Sequence, residues 1–209
     1  MKQLFYKSIC VSLLLACFIF FYGCGEEEEN EEIDGVSGAL PLRVVEYMVD
    51  ASSKEADVWT YFSFASGGPV TATDPATSTG WDLAFHRLQV QVNCGTSGPG
   101  KGGAKNMGVI DFDSFDTAPT SGYVVDTVLV KEGHGEPVEY SGNPEIKDWY
   151  NITKEMPPVI TSKNEVFAVK TADGKYAKMQ FLDYYDKEGI SGFVTIKYVY
   201  QPDGSPNLK

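Results

Sequence analysis

The chain has 209 residues, with 17 lysines and arginines against 29 aspartates and glutamates, for a formal charge of −12. Nucleic acid and anionic lipid surfaces are poor partners for such a chain, because like charge repels it from both. Only two histidines stand beside a 13% aromatic content, so the composition offers little to catalysis and much to a core of large rings.

Residues 1–23 open with Lys2 and Lys7 and run on as an apolar stretch, uncharged from Ser8. That is the pattern of an export signal, not of a helix in the mature protein. Two cysteines stand where the signal can end. Cys17 follows Leu14-Leu15-Ala16, but cleavage there leaves Phe18–Tyr22 at the new N-terminus. Cys24 follows Phe21-Tyr22-Gly23 and marks the change from apolar to polar sequence, so it is the expected lipidation site. Residues 24–38, with Glu26–Glu29, Glu31 and Glu32, form an acidic tether that cannot pack and is expected to be disordered. Losing Lys2 and Lys7 from the 17 basic residues leaves 15 against 29 acidic ones. Cys10 and Cys17 leave with the signal and Cys24 takes the lipid, so Cys94 has no partner. Residues 39–209 must then form a single domain held by its core alone.

In that domain, 40–50 and 57–64 alternate as strands, the second carrying Trp59, Tyr61, Phe62 and Phe64. Gly67-Gly68-Pro69 turns the chain into 70–73, and 81–92 reads as one long strand. Residues 94–103 are a glycine-rich connection whose glycines permit left-handed dihedrals or close strand approach. Residues 109–112 and 122–130 are β-like, separated by turn chemistry at 113–121. Residues 131–165 show no regular pattern. Order returns with 165–170, the Asp173-Gly174 turn, 176–185 and 192–200, where the alternation is strict. No window carries a 3.6-residue apolar period. The expected fold is all-β, antiparallel and multi-stranded, with long irregular loops.

The usual catalytic signatures are missing. His86 and His134 lie in no zinc spacing, and no G-x-S-x-G elbow is present. The glycine run lacks the GKS/T ending of a phosphate loop. Cys94 and His86 lie close in sequence, but nothing local would activate the thiol. Asp183 and Asp186 beside a tyrosine pair are the best available carboxylates for a hydrolase. Other candidates lie in irregular sequence. His134 stands between Gly133 and Gly135, Met156 precedes Pro157-Pro158, and Met107 closes the glycine stretch. Each methionine also reads as hydrophobic filler. A His or Met pair presented from opposite loops can hold haem iron from both sides, with rings such as Tyr140, Trp149 and Tyr150 covering the macrocycle.

Several blocks in order resemble the HmuY family of haem-binding lipoproteins from Bacteroidetes-type bacteria. They are Trp59–Phe64, Trp81–Arg87, Asn93–Gly95 with Ser97-Gly98 and Gly100–Ala104, Pro119–Tyr123, and Ala177–Phe181 with Asp183-Tyr184. The blocks run from about residue 55 to about residue 200, nearly the whole domain. The acidic run after Cys24 likewise resembles the export tag of surface lipoproteins in such bacteria. The resemblance implies an all-β haemophore, lipid-anchored on the outer membrane, that captures haem without catalysis and passes it to a TonB-dependent receptor. It implies a structural role for His86, hydrogen-bonded under the glycine loop. The first iron ligand of the family falls in the stretch containing His134. The second falls just before 165, where no histidine stands; Met156 is the nearest substitute and Met107 the alternative. Lys131, Lys147 and Lys154 are available to the haem propionates. The rival readings are a glycan- or peptide-binding module of the same fold and a carboxylate hydrolase.

Overall fold

The computed structural model describes residues 42–131 and 136–209. Among these the chain forms thirteen β-strands: β1 (Val45–Asp50), β2 (Thr60–Ser63), β3 (Gly68–Val70), β4 (Leu83–His86), β5 (Gln89–Val92), β6 (Gly103–Asn106), β7 (Thr127–Lys131), β8 (Val138–Gly142), β9 (Tyr150–Ile152), β10 (Ile160–Ser162), β11 (Val166–Lys170), β12 (Tyr176–Tyr185) and β13 (Ser191–Gln201). No helix among the described residues is long and apolar enough to cross a membrane.

A five-stranded sheet runs in the order β1-β13-β12-β11-β6 and a four-stranded sheet in the order β3-β2-β4-β5, with antiparallel neighbours throughout. One apolar cluster joins them. Phe62, Leu83, Phe85 and Val92 of the small sheet share it with Phe167, Met179, Phe181 and Ile196 of the large one. Phe62 meets Tyr198 edge-on across the two sheets, with ring centroids 5.6 Å apart. In β13 the strict alternation delivers Val194, Ile196 and Tyr198 to this core. The far face of the large sheet is covered by a second, smaller cluster of Phe112, Val166 and Val199 with Leu42, Met107 and Phe115. Buried Lys178 pins the covering loop there, donating to the carbonyls of Phe112 and Phe115 at 2.8 and 2.9 Å.

Three parts of the sequence reading are corrected. The expected strand 81–92 is a tight hairpin, β4–β5, turned at Arg87-Leu88. No glycine or proline announces this turn. Arg87 takes φ +55°, held there by its N–H on the Ala51 carbonyl and by Nη1 on the carbonyls of Ser52 and Ser191. Long-range bonds thus override a local preference against left-handed backbone. Residues 109–112 form no strand; the strand is β6, which begins at the last glycine of the glycine-rich stretch, where Lys170 pairs with Gly103 and Val169 with Ala104. The irregular stretch 131–165 contains three strands, β8, β9 and β10.

Candidate functional site

Two two-stranded ribbons lie outside the sheets, β7–β8 and β9–β10. The register of the first sets Leu129 opposite Tyr140 and Lys131 opposite Val138, while Val128 and Val130 face Ser141 and Glu139. Directly opposed residues share a face. One face therefore carries Leu129, Lys131, Val138 and Tyr140, and half-buried Leu129 and Tyr140 mark it as the face turned to the body. In the second ribbon Tyr150, Ile152, Ile160 and Ser162 share a face. Ile160 is buried, its N–H donated to the Tyr185 hydroxyl at 2.9 Å. Beyond these anchored positions the same faces carry open apolar side chains beside exposed Lys131: Val138 is 61% and Ile152 58% exposed, and on the other face of β7 Val128 and Val130 are open as well. Apolar side chains left uncovered on paired projections are suited to a flat apolar ligand.

Tyr140 of β8 and Tyr150 of β9 both stand near the ion pair Lys147–Asp148, closed at 2.6 Å. Burial pushes both phenols up from their ordinary range. Asp148 adds to the rise at each, and Lys147 opposes it. Both hydroxyls are therefore neutral donors at physiological pH.

The residues singled out in the sequence fall in different places. His134 belongs to the β7–β8 connection and lies outside the described residues. Met156 lies in the β9–β10 connection and is 90% exposed. Tyr140 stands on the inward face of β8. Trp149 corrects its expected role as a covering ring: it is 1% exposed, stacked on Phe181 at 4.4 Å, with its indole N–H on the Leu88 carbonyl at 3.1 Å. Its ring faces are spent on the core. Met107 packs in the second cluster, on the opposite face of the large sheet from Trp149. Lys131 and Lys154 are exposed on the two ribbons, and Lys147 is exposed beside Asp148.

The glycine loop has a definite structural task, although its key partner was not apparent from sequence. Asp126 is 1% exposed and accepts from Val92 N–H at 2.9 Å, Ser97 hydroxyl at 2.7 Å and the Asn143 amide at 2.9 Å. The Cys94 thiol lies 3.7 Å from the same carboxylate and is pushed up to about 12 by burial and by Asp126. The one sequence signal for Asp126 was a carboxylate in the middle of the apolar run Tyr123–Val130. His86 is not hydrogen-bonded under the glycine loop as expected: its ring lies 5.3 Å from Trp59, and its Nε2 has no hydrogen-bond partner among the described residues. The turn at Arg87 also separates it from Cys94 by a strand. Asp183 and Asp186, which line a 370 Å³ hollow with Glu46 and Tyr185, spend their Oδ1 atoms on the amides of Tyr184 and of Glu188 and Ile190. Such turn-bound carboxylates are poorly placed to act as a free acid and base.

Comparison with known proteins bears on this arrangement. The profile of the HmuY protein family matches residues 55–198. The chain belongs to the HmuY family. Membership supports a haem-binding role of the kind typical of HmuY-like proteins. Among solved structures, a Bacteroides vulgatus protein assigned as HmuY-like and heme-binding is 27% identical, with a TM-score of 0.58 over 75% of this chain and 91% of its own. The apo HmuY analog of Tannerella forsythia is 22% identical, with a TM-score of 0.59 over 77% and 97%. A protein assigned as a lipoprotein from Bacteroides fragilis is 23% identical, with a TM-score of 0.55 over 76% and 92%. The last two establish the common HmuY fold. No curated protein matches the chain.

Proposed function

We propose that this HmuY-family protein captures haem reversibly between its two ribbons, with His134 and Met156 as the axial ligands. The observation that carries the reading is the pair of ribbons: each bears one candidate ligand in its connection and open apolar side chains on its inward face. Val138 and Ile152 would lie against the macrocycle, while Tyr140 and Tyr150 offer neutral hydroxyls. Lys131 and Lys154 can neutralise propionates on an otherwise acidic protein. The iron supplies the ligand-binding valences, and the protein supplies orientation and a partly dry face. No chemical step is assigned, and the chain acts as a binder rather than an enzyme.

The same reading places the domain on the outer membrane through a lipid on Cys24, the acidic residues 24–38 serving as tether. Haem then passes to a TonB-dependent receptor. A ligand grasped by two exposed ribbons is accessible to such a partner. Titration with haemin, oxidised and dithionite-reduced, tests the reading: a saturable Soret shift at one equivalent is expected. An unchanged haemin spectrum in both redox states would transfer the ribbons to a non-haem ligand.

A further inference from the structure

The β7–β8 ribbon is closed at its root by a buried pin. Asp126 immediately precedes β7 and Asn143 immediately follows β8, and both are buried. The Asn143 amide donates to Asp126 Oδ1 and to the Val124 carbonyl, each at 2.9 Å. From the other side the glycine loop reaches the same residue, through Ser97 Oγ on the carboxylate at 2.7 Å and Thr96 N–H on the Asp126 carbonyl at 3.1 Å. Val92 N–H adds the end of β5. One side chain thus joins both ends of the ribbon to the small sheet and to the glycine loop.

We propose that Asp126 is the positioning residue of the β7–β8 ribbon, and that uptake of a proton by its carboxyl tightens the ribbon while loss of the proton loosens it. As a means of regulating haem capture, this rests on the proposed function.

The groups facing Asp126 from the elements packed on it are the Cys94 thiol and Ser97 hydroxyl of the glycine loop, the Asn143 amide and the Val92 N–H. None is a cation. The thiol, pushed up to about 12, stays neutral at physiological and acid pH. Burial pushes the Asp126 carboxyl up to about 6, the bonds from Ser97, Asn143, Val92 and Cys94 pulling it partly back. A released and hydrated aspartate returns to the ordinary range near about 4. Between about pH 4 and 6 the closed pin keeps a proton that the open one has lost. Opening in that window releases the proton, so its equilibrium constant rises by at most about tenfold per pH unit. The ribbon is held most firmly in acid and least firmly above the window.

Hydrogen exchange of the full-length protein in detergent, corrected for the intrinsic pH dependence, reads this directly. In the wild type the opening constants of β7 and β8 amides should rise tenfold or more from pH 4 to pH 6.5, with β12 amides unaffected. D126N should abolish the rise. S97A, which removes a bond that favours the charged form, should move the rise to higher pH and decides the matter if D126N does not fold. A rise that survives in D126N, that S97A leaves in place, or that is shared equally by β12 would overturn the proposal. Haemin titration separates the two readings. Asp126-dependent protection without any Soret change keeps the positioning role and removes haem. A Soret change with a D126N ribbon that behaves as wild type keeps haem and removes Asp126.

Discussion

Gly95 takes φ +56°, and a Cβ built on it would run into the backbone carbonyl of Asp126. Both the dihedral and the contact exclude any side chain, and the obstructing atom is backbone that cannot swing aside. Gly95→Ala should cost more than about 2 kcal/mol, measured as a fall in the denaturation midpoint without a change in slope. Cys94, next to it, is buried and pushed up to about 12, so almost none of it is thiolate at neutral pH. Native labelling should be slow and become rapid on unfolding; rapid native labelling would revive a reactive cysteine. At this scale the sequence was half legible. Glycines and a lone cysteine between strands pointed to a constrained turn and an unactivated thiol. The partner that constrains them, Asp126, lies 32 residues away from Cys94, and local pattern holds no record of that distance.

Strands β12 and β13 were legible almost to the residue, because each buries alternate side chains against a covered face and period-2 patterning records that burial. The ribbons, apart from β7 within the β-like 122–130, were illegible for the converse reason. Most of their residues are exposed, so no face of the sequence had to be apolar, and their strands are three to five residues long. Trp149, unlike Tyr140 and Tyr150, was misread, since it sits at the root of an exposed ribbon yet stacks on Phe181 in the core. This makes a sharp contrast between two nearby substitutions. Trp149→Ala should destabilise the fold by about 3–5 kcal/mol, whereas Met156→Ala, at 90% exposure, should change it by less than about 0.5 kcal/mol. Urea denaturation followed by far-UV circular dichroism distinguishes them. Equal losses would mean that the β9–β10 connection carries structural load.

For the whole molecule, the all-β class followed from alternation, the absence of helical periodicity and the aromatic content, and it agrees with the HmuY fold. The pairing of two sheets and the placement of ribbons did not, because strand order is set by contacts between segments distant in sequence. The division that results is physical: a sandwich with a shared core bears the stability, and the ribbons outside its two sheets expose the side chains that the proposed function would use. Attachment belongs to this scale too. Replacing Cys24 with serine should release the protein from the membrane fraction, while C17S should not; the reverse pattern would move the lipid to Cys17.

The most direct test of haem capture is a redox-controlled haemin titration of the wild type beside H134A, M156A and M107A. Thioether sulfur donates less strongly to ferric iron than imidazole does and favours the ferrous state. H134A should therefore abolish the low-spin spectrum of bound haemin. M156A should weaken ferrous binding more than ferric binding, and M107A, altering a residue packed under Phe112 and Phe115, should leave both spectra intact. A Soret response that M107A removes and M156A leaves untouched would contradict the two-ribbon site, and no response in wild type in either redox state would contradict haem binding itself.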